Sequence, residues 1–245
     1  MNRERRLAQA FVVLADTYAA EFDPLHLFHR LVHTCQDLLD VDEAAVMIAD
    51  ARGTLKTMAT TDEDEVFAEL LRLQNGHGPC LDCYRTVEPV SIPDIAAEYE
   101  RWPKLAPALV DAGYESLQAI PMRLHERPLG ALVLLRRRSG QLAEDDVHLA
   151  QALADSAALA LMHWSIEPAD GEDVVTRVQG VIASKATLEI AKGMVAQYAE
   201  TTIGEAARML SAYASRQRVR LTETAHALVN RGVTPAAIVD AQPRG

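Results

Sequence analysis

Ser116-Leu117-Gln118-Ala119-Ile120-Pro121-Met122-Arg123-Leu124, the turn His125-Glu126-Arg127, and Pro128-Leu129-Gly130-Ala131-Leu132-Val133-Leu134-Leu135 form the stretch that decides the fold class. Two largely apolar runs of strand length flank three polar residues, the pattern of an antiparallel hairpin closed by a short turn. A second hairpin is expected upstream, where residues 44–49 are apolar, Ala51-Arg52-Gly53 marks a turn and 54–60 alternate. Val90-Ser91-Ile92, behind Glu88-Pro89, adds a short strand.

Around these strands the apolar period lengthens to that of helices. Leu7, Phe11, Leu14 and Tyr18 recur every three to four residues; Leu27, Leu31, Cys35 and Leu38 do the same behind Pro24. Phe67, Leu70, Leu71 and Leu73 predict a helix ending at Asn75-Gly76, and 102–110 a short one. Residues 145–163 carry Val147, Leu149, Ala150, Leu153, Ala157 and Leu161 on one broad face, as a closing amphipathic helix should. Residues 25–166 therefore read as one α+β domain, with a preceding N-terminal helix within 1–24.

Glu167-Pro168-Ala169-Asp170-Gly171-Glu172 stops the helical pattern with proline, glycine and acid, which places a linker at 167–172. Residues 173–240 read as helix throughout, in segments 174–198, 203–218 and 221–230. Thr202, three residues before Glu205, fits a capping box, and Thr234-Pro235 fits a cap with proline at the first helical position.

The charge follows this division. The 245-residue chain carries a net −11, which taken whole argues against nucleic acid as a partner. Residues 1–172 hold 15 Lys and Arg against 29 Asp and Glu, net −14, whereas 173–245 hold 9 against 6, net +3. Basic charge is thus segregated in the C-terminal third. No apolar run reaches the roughly 20 residues of a spanning helix, since 149–164 is cut by Asp155 and His163, so no membrane partner is expected. The basic start Met1-Asn2-Arg3-Glu4-Arg5-Arg6 is followed by an apolar stretch that stops at Asp16 without a small-residue cleavage site. Three cysteines make no disulfide framework. A cytoplasmic protein is expected.

Leu188-Glu189-Ile190-Ala191-Lys192-Gly193-Met194-Val195, then Glu205-Ala206, Met209-Leu210, Tyr213-Ala214, Leu221, Ala225 and Leu228-Val229, resemble the ANTAR domain over about 50 residues. The resemblance implies an all-α three-helix module that grips RNA carrying short paired hairpins, in leader or antiterminator elements, as a homodimer. On the residues themselves, Ala191 and Gly193 leave room for a second backbone or a nucleic-acid backbone, and Lys192 between them supplies a charge that seeks phosphate. Arg216, Arg218 and Arg220 make a basic corner, and Tyr213 is placed to stack on an unpaired base. Each has a plainer reading as well: core packing for Tyr213, a solvated face for the arginines, snorkelling for Lys192. Glu200 stands where relatives often carry glycine, which puts the turn after the first helix of the module in question. Val174, Val178, Val181 and Leu188 suggest a short dimer seam, interrupted by Lys185 and limited by Gly180.

Gly78-Pro79-Cys80-Leu81-Asp82, Tyr84-Arg85, Glu88-Pro89-Val90, Trp102-Pro103, Ile120-Pro121-Met122 and Pro128-Leu129-Gly130-Ala131-Leu132 are similar to GAF domains of the kind that precede ANTAR modules. That similarity implies an antiparallel sheet flanked by helices, with room for a small-molecule ligand whose identity, like that of any cofactor, stays open. His77, Cys80 and Cys83 admit three readings: half a zinc site, a redox pair, or accidental spacing. Nothing in the sequence nominates a fourth zinc ligand, so no metal site is assigned. His26, His29 and His33 share one helical face, either as ligands or as exposed histidines of an amphipathic helix. No catalytic motif is recognisable. The expectation is a regulator of transcription antitermination, not an enzyme. A sensor acting through a protein partner and a cysteine-dependent methionine sulfoxide reductase of the GAF type are the alternatives.

Overall fold

The structure is a computed structural model that describes residues 3–15, 23–62, 64–74, 76–163 and 174–241. These divide into two compact units: Pro24–Val178 together with the first helix, and Gln179–Gly245 together with Asp23. The linker expected at 167–172, and Tyr18 of the expected first helix, lie outside the described residues.

In the first unit, α1 (Arg3–Ala15) and α2 (Pro24–Leu38) lead into the hairpin β1 (Glu43–Ala49) and β2 (Leu55–Thr60). Then come α3 (Glu65–Leu73), α4 (Pro79–Thr86), β3 (Val90–Ile92), a 3-10 turn at Ile95–Glu98, and α5 (Leu105–Asp111). The hairpin β4 (Ser116–Leu124) and β5 (Arg127–Arg136) follows, and α6 (Glu144–His163) closes the unit. Both expected hairpins are present. Leu124 pairs with Arg127, so the second turn has two residues, and His125 takes the left-handed conformation (φ 57°) that a tight turn of this length requires.

The five strands form one antiparallel sheet in the order β2-β1-β5-β4-β3, so the closing strand β5 lies at its centre. Alternation assigns the faces. Ala45 and Met47 of β1, Ala131, Val133 and Leu135 of β5, and Leu117 and Ala119 of β4 share a buried cluster with Phe67, Leu71 and Leu105. The intervening residues, among them Val46, Ile48, Ile120, Leu132 and Leu134, are equally buried. On their side α2 packs on β1 and β2, and α6 on β4. Helices thus cover both faces, and this is why β1 and β5 read as continuous apolar runs rather than alternating ones.

At the centre the backbones crowd. A Cβ on Gly130 would stand 2.0 Å from the carbonyl oxygen of Met47 and 2.9 Å from Cα of Ile48, its partner in the ladder. No side chain fits there.

The second unit is helical: α7 (Val174–Ala199), α8 (Ile203–Gln217), α9 (Leu221–Val229) and α10 (Pro235–Asp240). Leu188, Ala191 and Val195 of α7, Ala206, Leu210 and Ala214 of α8, and Ala225 and Leu228 of α9 are buried at helical spacing. The expected caps form, with Thr202 accepting from Glu205 N–H at 3.2 Å and Thr234 from Ala237 N–H at 3.3 Å. Only half of the capping box does, because the Glu205 carboxylate pairs with Arg208 instead. Three helices end alike, on a residue in the left-handed conformation followed by an amide that reaches back to a carbonyl five residues earlier. Glu200 (φ 52°) precedes Thr201 N–H to Ala196 O at 3.0 Å; Arg218 (φ 54°) precedes Val219 N–H to Ala214 O at 3.1 Å. Arg231 (φ 62°) precedes Gly232 N–H to Ala227 O at 2.7 Å. The turn at Glu200 is therefore formed without glycine, at a strain of about 1–2 kcal/mol. Of the seam expected from Val174, Val178, Val181 and Leu188, the last three are buried, and the side chain of Val174 lies outside the described residues.

Two outcomes follow for urea unfolding. Gly130→Ala should lower stability by about 3 kcal/mol, because a methyl against a backbone carbonyl of the central pair has nowhere to move. Glu200→Gly should raise it by about 0.5–1 kcal/mol, the relieved strain being partly offset by the greater freedom of the unfolded glycine. Unchanged midpoints would contradict the backbone geometry at both positions.

Candidate functional site

In the helical unit, Ala191 is fully buried, so its methyl belongs to the core and to no surface that a partner touches. Lys192, next along α7, keeps only 14% of its side chain exposed and donates to Glu189 at 3.0 Å. The same carboxylate receives Lys185 at 2.8 Å. Burial works against its ionisation, but the two lysines prevail and hold the Glu189 carboxyl below the usual range. Gly193 has nothing within 4 Å of the place where a Cβ would sit. Among the described residues no packing requires a glycine there.

Arg216 and Arg218, at the C-terminal end of α8, are exposed and form no ion pair among the described residues. Cations at a helix C-terminus also complement the helix dipole, which is their plainest role. Arg220 is the N-cap of α9; its amide donates to Glu223 at 3.3 Å and its side chain lies 3.9 Å from the same carboxylate. Tyr213 is half-buried, beside the core positions Leu210 and Ala214. Tyr198, 56% exposed at the end of α7, offers an open ring that the sequence reading did not single out. The phase of Tyr198 follows from Leu188, Ala191 and Val195 of α7, and that of Tyr213 from Ala206, Leu210 and Ala214 of α8.

In the first unit, Gly78-Pro79 starts α4, an element that the sequence reading missed while it weighed the Cys-x-x-Cys spacing. Proline at its first turn was the available signal. Cys80 and Cys83 lie one turn apart on the buried face of α4, whereas His77 is exposed ahead of it. Among the described residues no three His, Cys, Asp or Glu side chains are set to hold a metal; the two thiols lie in the core, while His77 stands outside it. The Cys80 thiol donates to Gln74 Oε1, and the Gln74 side-chain nitrogen is buried with no partner among the described residues. Burial, with smaller contributions from Cys83 and Asp82, pushes the Cys80 thiol well above its ordinary value. Burial pushes Cys83 up to about 12.

Beside α4 lies a small apolar cavity of about 10 Å³, lined by Ile92, Ile95, Trp102, Leu105, Leu109 and Leu117. Arg101 stacks on Trp102 at 4.2 Å and pairs with Asp82 of α4 at 2.9 Å, tying that rim together. The volume is below the roughly 300 Å³ at which ligand pockets usually begin. Its lining offers nothing to a charge, which would lose its hydration on entry.

The family model of the GAF domain matches residues 23–161, more than half of the chain. The chain belongs to the GAF domain family. Solved structures agree on the fold. The GAF domain of a phosphoenolpyruvate-protein phosphotransferase from Coxiella burnetii is similar at 23% identity and a TM-score of 0.53, over 66% of this chain and 94% of that one. The corresponding Acinetobacter domain matches at 15% identity and a TM-score of 0.51, over 68% and 100%. The fRMsr of Staphylococcus aureus in its reduced form matches at 13% identity and a TM-score of 0.50, over 65% and 94%. No curated protein matches in sequence.

GAF domains serve as signal-sensing domains in many sensors, and the apolar cavity lies within the matched residues. The pair Cys80 and Cys83 adds little to it chemically, since nucleophilic sulfur chemistry proceeds through thiolate and both thiols are held protonated at neutral pH. No helix of the described residues is long and apolar enough to cross a membrane.

The thiols provide a direct check. In the native chain at pH 8, Cys35, Cys80 and Cys83, all buried, should stay unmodified by Ellman's reagent over the time in which the guanidinium-unfolded chain reacts completely. One rapidly reacting native thiol would show an accessible thiolate and reopen the redox reading.

Proposed function

We propose that this GAF protein is a regulator of transcription antitermination. Its α7–α9 unit acts as an ANTAR-type module that binds RNA with short paired hairpins, and its GAF domain modulates that binding in response to a signal. No covalent chemistry is involved; RNA that folds into the bound form is selected and its folding equilibrium shifts.

Gly193 carries the reading. A glycine inside a helix costs about 1 kcal/mol relative to alanine, and the described residues supply no internal reason for this one. The resemblance at Leu188–Val195 supplies an external one: close approach of a partner to the backbone of α7. The face of α7 opposite its core carries Ala183, Ala186, Ile190, Gly193 and Gln197 without a charge, whereas a solvated helix face is ordinarily charged. A second copy of the chain suits that uncharged face. The flanking Lys185 and Lys192, with Arg216 and Arg218 on α8, suit phosphate. Glu189 meanwhile holds both lysines, so RNA must displace a carboxylate to use Lys192.

The exposed Tyr198, Ile190 and Ile203 also favour a second reading, a surface for a protein partner. Filter binding of the full chain to RNA with paired hairpins, across a salt series, separates the two. Wild type should bind with a steep salt dependence; Lys192→Ala with Arg218→Ala should weaken binding and flatten the slope by about two phosphate contacts. Gly193→Ala should raise thermal stability by the equivalent of about 1 kcal/mol and yet weaken RNA binding. RNA affinity that is absent in wild type, or indifferent to all three substitutions, would leave the protein-partner reading.

A further inference from the structure

We infer that His29 and His33 on α2 form a two-imidazole chelate for a divalent transition-metal ion of the Cu²⁺, Ni²⁺ and Zn²⁺ group. Their Nε2 atoms stand 3.3 Å apart, with ring centroids 4.4 Å apart and ring planes inclined at 58°. The rings are not stacked, and they present nitrogen to nitrogen. Two imidazole nitrogens bound to one tetrahedral ion at about 2.0–2.1 Å are themselves about 3.3–3.4 Å apart. The bite of a chelate is therefore already set before any ion arrives.

The helix explains why. Leu27, Phe28, Leu31, Val32 and Cys35 are buried, and α2 packs against β1, β2 and α6. That packing fixes its phase and leaves His29 exposed and His33 half-exposed. Histidines four residues apart then fall one above the other on the outer side, the spacing by which two histidines on one helix face bind zinc. Without metal, one Nε2–H donates to the other Nε2 lone pair. On binding, that proton leaves Nε2 for solvent and Nδ1 of the same ring takes one up, so both Nε2 lone pairs face the ion with no change of net charge on the protein.

The donor set defines the ligand. Neutral imidazole favours Cu²⁺, Ni²⁺ and Zn²⁺ over Mg²⁺ and Ca²⁺, which prefer oxygen. No group of three His, Cys, Asp or Glu among the described residues is arranged for a metal, so water completes the coordination. Such a site exchanges its ion readily, unlike a structural zinc site with four protein ligands. His26, exposed one turn earlier, is outside the pair and provides the control.

Titration of the full chain with Cu²⁺ tests this. At one equivalent, electron paramagnetic resonance should show two equatorial nitrogens, and calorimetry a site that His29→Ala or His33→Ala each weakens at least tenfold. His26→Ala should leave both unchanged, and excess Mg²⁺ should not compete. The nitrogen count is read on the unaltered chain, so it holds even if a variant folds poorly, and circular dichroism checks the variants. No one-to-one binding by wild type, or the same affinity and two-nitrogen spectrum in the double variant, overturns the site.

Discussion

The sheet of the GAF domain is buried on both faces, and the rest of that domain follows from this. β1 and β5 are hydrogen-bonded neighbours at its centre, and every residue of β5 from Leu129 to Arg136 is buried. A strand covered on both sides has no polar face to spare, so its backbone amides must all be satisfied within the ladder. The approach at Gly130 is one result. Another is that polar groups collect where strands end: Arg136 donates to Gly140 O at 2.9 Å and to Asp40 at 3.3 Å, while Arg137 N–H donates to Asp42 at 2.7 Å. The interior is thus left to the apolar cavity and the thiols.

That organisation explains what was legible in the sequence. Both hairpins could be read because a run of strand length bounded by a turn is a local signal, and α2 and α6 because their apolar spacing is sustained over several turns. The strand order could not be, since it depends on which edges meet after collapse. The helix α4 went unread for a different reason. It has eight residues, too few to establish a period, and its cysteines invited a chemical reading of positions that the fold uses as core. Gln74 is similar: an ordinary polar residue at a helix end that is fully buried, with Gly78 so close that a Cβ there would meet its Cα at 3.1 Å.

In the helical unit, composition identified the basic surface but not its shape. Arg218 and Arg231 occupy the left-handed residue at the ends of α8 and α9, so the chain reversal itself, rather than a helix face, sets where these side chains start. Sequence spacing treats Arg216, Arg218 and Arg220 as one alternating run. The structure distributes them instead over a helix end, a reversal and the cap of the next helix. Arg220 is then engaged with Glu223, and Arg216 and Arg218 remain as the available cations.

Gly193 brings the two levels of argument together. Natural helices replace interior glycine readily when nothing depends on it, because alanine fits the same backbone with a gain of about 1 kcal/mol. Gly130 shows what a structural reason looks like in this chain: a carbonyl 2.0 Å from the missing methyl. At Gly193 the same construction meets open space. One glycine is explained by the strand beside it, and the other by nothing among the described residues. Where a sequence breaks a local rule and the described fold gains nothing by it, the reason is to be sought in what the fold binds, and on the proposed reading the place is the uncharged face around Gly193 with Lys192 at its edge.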